Sequence, residues 1–528
     1  MHFNTNVLTL AVTAASLLLS TTNAAIIPDS VVRRSTVAEP TPNTLIPQSA
    51  VTEDHDDRLW TTKIRDTVVG SLFGKSTRHG TRREQQKRLS QTSKIISQYD
   101  GDVVLRFNLS SPEEAKALAE ASHILYLDVW STTKSHADIR MAEDMVPSLL
   151  GLLPKSMQHS HFRLMHDLAR TAQDTYTGAS NVYSKEDMVR LETENLFFQN
   201  YQPPSVILPW MKLLESLFPS FVEVFSIGKS YEGREIQALR VGNKDIGGNK
   251  KLTIIVTGAA HAREWISVST VCYLAYSLIS GYGKEDVDIN TIVDHFNWVF
   301  IPTLNVDGYA YTWDADRLWR KNRQPTGLSF CKGIDLDRAY NFHFDGSPSS
   351  QGNPCSDMFP GTNPFEATEA KTFADFARNL SAEGTPVVGL LDFHSYSQQI
   401  LYPYSYSCDN MPPDLENLEE LGFGLAKAIR QHSGEHYEVT SACEGTGFTG
   451  FQGAGGSMMD FFYADYRVPY AYQIKLRDTG SYGFLLPKEN IIPAGEESLA
   501  ALKHFGQFIL DDGSPVERQE LRQEKELK

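Results

Sequence analysis

The sequence predicts an α/β domain built on a mixed, largely parallel twisted sheet flanked by helices, preceded by a small α+β domain. Three observations predict it. Leu252–Val256, Trp298–Ile301 and Val387–Leu391 are continuous apolar runs of strand length, the pattern of strands covered on both faces. Helical runs fall after them, near 264–281, 366–380, 415–432 and 495–511, and parallel strands need crossover connections of this kind. Upstream, strand, helix and strand follow one another within 56–155, enough for an independent unit.

In chain order, the apolar run Val7–Leu19 ahead of the small residues Thr22 and Ala24 fits a signal segment, 1–24, cleaved after Ala24. The run is too short to cross a bilayer comfortably, and no later stretch is long and apolar enough either. Residues 25–55 are rich in Pro, Thr, Ser and Val without periodicity and read as a flexible lead-in. The basic, polar stretch Thr77–Arg88 reads as a surface loop. Val103–Phe107 is strand-like; Ser111, Pro112 and Glu114 then start a helix as cap, first-turn proline and capping box. Ile124–Trp130 is expected to be the next strand. A polar connector, 156–196, leads into the α/β domain at 197–511, and 512–528 form a charged tail.

A formal charge of −16 argues against nucleic acid as a partner, because a phosphate backbone needs a basic surface. Five cysteines leave one thiol over. Cys331 and Cys355 flank a loop and are expected to pair in an oxidising lumen. Cys408 and Cys443 could form a second bridge, and Cys272, in an apolar helical run, reads as a buried free thiol. Asn108 and Asn379 begin glycosylation sequons.

His261 and Glu264 stand three apart at a helix start, on one face, where both can reach one ion. The spacing alone is weak: His432 and Glu435 repeat it in polar surroundings at a helix end. Position separates the two pairs. His261 and His394 each follow an apolar strand at its carboxyl end, where open α/β sheets place their sites. Two histidines and a carboxylate with a fourth position open form a catalytic zinc set. Gly74-Lys75-Ser76 and Gly228-Lys229-Ser230 lack the upstream glycine of a phosphate-binding loop and read as ordinary loop.

Five blocks occur in order. They are Gly258–Trp265, Pro302–Tyr309, Arg317–Lys321, His394–Gln398 and Leu476–Gly480 (Leu-Arg-Asp-Thr-Gly). Together they resemble the M14 zinc carboxypeptidases, and 56–155 resembles that family's activation prodomain. The resemblance implies one zinc ion held by His261, Glu264 and His394. It implies that Arg320 polarises a scissile carbonyl and that Arg338 grips a terminal carboxylate. Arg263, Asp337, Ser395 and Tyr396 are the other substrate-groove residues it assigns. The floor Gly455–Met459 is apolar, so a hydrophobic peptide end is expected there.

Three positions depart from the family pattern. Lys475 stands where the active enzymes keep the glutamate that acts as general base. Asp337 replaces the asparagine beside the carboxylate-gripping arginine. Phe451 or Gln452 stands where the substrate-capping tyrosine is expected. Hydrolysis at such a centre needs a base for the water's proton, and loss of that group lowers rates by about 10²–10⁴. An ammonium cannot accept the proton, and Asp337 repels a terminal carboxylate. Lys475 is expected to lie near Asp337 or Glu264. The closest resemblance is to the inactive metallocarboxypeptidase-like proteins of fungi, associated with cell-wall organisation and biogenesis. It implies a secreted or vacuolar pseudoenzyme that binds peptide or protein C-termini without cleaving them. The rivals are an active exopeptidase that removes hydrophobic C-terminal residues, and a scaffold in which any zinc only stabilises the fold.

Overall fold

The computed structural model describes residues 92–176, 196–243, 251–344, 353–445 and 455–512. The signal segment, the lead-in, the Thr77–Arg88 loop, Phe451, Gln452 and all but the first residue of the tail lie outside them.

The first domain is a four-stranded antiparallel sheet in the order β2-β3-β1-β4. Its strands are β1 (Asp102–Asn108), β2 (Asp128–Thr132), β3 (His136–Ala142) and β4 (His161–Met165). Helix α1 (Pro112–Ile124) starts where its sequence signals lie: Ser111 Oγ accepts from Glu114 N at 3.3 Å. The Glu114 carboxylate reaches back one residue beyond the cap, to Ser110 N at 3.0 Å. Both bonds satisfy amides that a helix start leaves open.

Two sequence expectations change here. Ile124 ends α1 instead of opening a strand. Tyr126 takes the left-handed region at φ 54°, and the strand begins only at Asp128. The apolar run Ile124–Leu127 is thus a helix end and a turn. The expected connector from 156 also contains folded chain, because β4 pairs with β1 and helix α2 (Leu168–Tyr176) follows it. Leu168, Ala169 and Ala172 of α2 pack with Leu318, Tyr396 and Phe484 of the second domain, so a polar-looking segment is tied down by a few buried residues.

The second domain is an eight-stranded sheet in the order β11-β10-β12-β9-β7-β8-β6-β5. The strands are β5 (Val222–Lys229), β6 (Glu235–Val241), β7 (Leu252–Gly258), β8 (Phe296–Ile301), β9 (Val387–Ser395), β10 (Gln399–Tyr402), β11 (Glu438–Ser441) and β12 (Tyr470–Leu476). The central four, β12, β9, β7 and β8, run parallel. Antiparallel pairings join β10 to β12, β8 to β6 and β6 to β5. All nine residues of β9 are buried, which requires cover on both faces, as its unbroken apolar sequence predicts. Helix α6 (Ile491–Asp511) packs against both α3 (Trp265–Gly281) and α5 (Leu415–Ser433), and α4 (Thr368–Ala382) lies over β5 and β9. Cys331 is bonded to Cys355 and Cys408 to Cys443, while Cys272 is free and buried. Asn108 and Asn379 are both exposed. No helix among the described residues is long and apolar enough to cross a membrane.

Candidate metal centre

The carboxyl ends of β7 and β9 bring the three sequence-selected ligands together. His261 lies in the turn after β7, Glu264 caps α3, and His394 is the penultimate residue of β9. Glu264 Oε1 lies 2.8 Å from His261 Nδ1, and its Oε2 lies 3.0 Å from His394 Nδ1. The two Nδ1 atoms are 3.1 Å apart. Among the described residues this is the one cluster of three or more such side chains whose donor atoms lie within 4.8 Å of one another.

The outward nitrogens are pinned as well. His261 Nε2 lies 3.0 Å from Asp335 Oδ1, and His394 Nε2 lies 2.7 Å from Asp392 Oδ2. Carboxylates behind the imidazoles fix each ring with Nδ1 facing inward, and zinc-ligating histidines are commonly held by a carboxylate on the other nitrogen in this way. The donor set therefore fits zinc. The charges within the cluster balance one another. Burial alone would raise Glu264, yet His261 and His394 hold it well below the usual carboxylate range. Burial opposes a charged His394, but Asp392 and Glu264 together raise it well above the usual imidazole value. Asp335 is likewise held low, against its burial, by Arg320, His261 and Arg338.

A cavity of about 130 Å³ opens on these ligands, smaller than the ~300–1,000 Å³ of ordinary ligand pockets. Arg320, Asp337, Arg338, Ser395, Tyr396 and Lys475 line it. Arg320 Nη2 donates to Asp335 Oδ2 at 2.9 Å, and Arg338 Nε lies 3.4 Å from the same oxygen. Lys475 stands opposite His394 in the β9/β12 register. Burial draws its ammonium down to about 8, and Glu264 and Asp337 work against that loss.

Two expectations need correction, for Arg263 and for the cavity floor. Lys475 lies within the fields of both Glu264 and Asp337, and among the described residues it forms no direct ion pair. Asp337 is held elsewhere: Gln473 Nε2 donates to it at 2.8 Å and Met458 N at 3.1 Å. Arg263 does not line the cavity. Its Nη1 donates to Asp128 Oδ1 at 2.9 Å, and its guanidinium lies 4.2 Å from the Phe484 ring centre. The cavity is not lined by apolar residues alone either, because Ser405, Gln473 and Asp337 line it together with Met459.

One wall comes from the first domain. Val129, Trp130, Ser131 and Thr132 of β2 line the cavity beside the metal-ligand set. Tyr396 Oη donates to Asp138 Oδ2 at 2.7 Å, and Asp138 also takes two hydrogen bonds from Arg106 at 2.6 and 2.7 Å. Trp130 packs on Phe484 with ring centres 5.1 Å apart. Sequence reasoning missed this wall, along with Asp392 and Gln473. Asp392 did leave a signal, an acid two residues before His394 at the end of an apolar strand.

Residues 207–501 match the family described as zinc carboxypeptidase. The chain is 48% identical over 488 residues to the inactive metallocarboxypeptidase ECM14 of Uncinocarpus reesii, covering 88% of this chain and 83% of that one. It is 50% identical over 485 residues to the protein of the same name in Sclerotinia sclerotiorum, covering 85% and 81%. Among solved structures, thrombin activatable fibrinolysis inhibitor superposes with a TM-score of 0.67 at 26% identity, over 78% of this chain and 99% of that one. The chain belongs to the zinc carboxypeptidase family, as an inactive member of it.

Proposed function

We propose that this chain is a zinc-holding pseudoenzyme in which Lys475 occupies the place of the general base. In this reading it holds peptide or protein C-termini without cleaving them, acts in cell-wall organisation and biogenesis, and is secreted or vacuolar. One zinc ion sits on His261, Glu264 and His394, and would supply Lewis acidity to a carbonyl in the cavity.

The observation that carries this reading is that, among the described residues, the cavity lining offers no free carboxylate as a proton acceptor. Its carboxylates are Glu264, which faces both histidines, and Asp337, which accepts from Gln473 and Met458 N. Lys475, beside His394, donates protons and adds a positive charge. A lysine that lost its proton would offer one lone pair where a carboxylate offers two oxygens. Arg320 and Arg338 keep the cavity cationic, which supports an anionic peptide end as the ligand, while Asp337 weakens the grip on it.

The test is zinc content and peptide fate together. The full chain, with and without a proteolytic cut between 177 and 195, is expected to carry one zinc and to return a broad peptide panel intact. Absence of zinc from carefully purified protein supports the scaffold reading instead.

A further inference from the structure

We infer that Asp392 is a positioning residue of the metal centre: its carboxylate orients His394 and supplies the negative charge that lets the His261–Glu264–His394 set hold zinc beside the Lys475 ammonium. The inference rests on the zinc-holding reading above.

Asp392 and His394 are two apart on β9, so their side chains leave the same face of the sheet. Asp392 is fully buried, at 0% exposure. Its Oδ2 meets His394 Nε2 at 2.7 Å, and its Oδ1 accepts from Thr257 Oγ1, also at 2.7 Å. Thr257 stands directly opposite it in the β7/β9 register and is itself buried. The carboxylate is therefore clamped between two central strands, and His394 has one orientation available.

The second carboxylate of the centre is occupied differently. Asp335 is shared by His261, Arg320 and Arg338, so two guanidinium groups already balance it. Asp392 has no such partner: among the described residues, His394 is the one basic group within ion-pair distance. Gln473, its neighbour on β12, directs its amide to Asp337 instead. A fully buried carboxylate facing one imidazole and one hydroxyl is unfavourable unless a cation is held close by. Zinc on Nδ1 of that imidazole is such a cation. Lys475, two residue pairs further along the same two strands, adds a positive charge that works against it. Asp392 offsets that charge.

The test uses the full chain and measures zinc affinity and release rate by competition with a chelator. Asp392→Asn keeps the shape and an acceptor oxygen but removes the charge. It is expected to weaken zinc binding by about 10- to 100-fold. The loss is expected to be smaller in a Lys475→Met background, because less charge then needs offsetting. Wild-type affinity and release rate in D392N overturn the inference, and an equal loss in both backgrounds overturns its charge argument. Wild-type protein that takes up no zinc overturns the underlying reading as well, so the two failures are distinguishable. If D392N does not fold, Thr257→Val carries the same expectation at smaller size, and wild-type zinc retention there overturns the inference.

Discussion

His394 and Lys475 stand directly opposite each other in the parallel register of β9 and β12, so a metal-ligand imidazole and an ammonium leave the same face of the sheet side by side. The cavity that opens above them contains both. This adjacency sets a positive charge beside the cluster of His261, Glu264 and His394.

Replacing Lys475 with Met is expected to tighten zinc binding by about tenfold or more. A unit charge beside a dication is worth more than about 1.4 kcal/mol even at an effective dielectric near 20. Chelator competition on the full chain reads the change, and an unchanged affinity would mean that the ammonium points away from the ion.

Restoring a carboxylate with Lys475→Glu is expected to recover little peptidase activity. Asp337 still presents like charge to a terminal carboxylate, and β2 still walls the cavity. Adding Asp337→Asn is expected to raise turnover above that of K475E alone, as measured by residues released from a peptide panel.

Asp138→Ala is expected to destabilise the chain by about 3–5 kcal/mol, the usual consequence of removing one partner from a buried ion pair. Asp138 is fully buried and holds both Arg106 and Tyr396. A lowered denaturant midpoint checks the loss, and faster proteolysis of the first domain is expected with it.

Asp460 sets a pH dependence. Its burial outweighs the hydrogen bonds from Ser405 N and Tyr406 N and pushes the carboxyl up to about 7. The unfolded value is about 3.9, so between those limits the folded chain binds the extra proton. Stability from this group is present below about pH 4 and declines as pH rises toward 7. Asp460→Asn is expected to flatten that part of a stability–pH profile measured by urea unfolding.

The central sheet was legible because its parallel strands are buried on both faces and therefore apolar throughout, and the two histidines stood out by ending such strands. The β2 wall was less legible. Ile124–Leu127 has the composition of a strand, but α1 extends through Ile124 and the chain turns at Tyr126 before pairing begins at Asp128. Arg263 belongs to a block that resembles the family's groove, yet its partner Asp128 comes from 135 residues upstream, a contact no local pattern announces. Lys475 falls within the fields of Glu264 and Asp337, the two carboxylates the sequence singled out beside it, while Gln473 and Met458 N hold Asp337.

The most direct measurement is peptide turnover by zinc-loaded protein from pH 6 to 9.5, alongside Lys475→Ala. No release of C-terminal residues at any pH is the predicted result. Turnover that rises with pH as Lys475 gives up its proton, and vanishes in the alanine variant, would contradict the account.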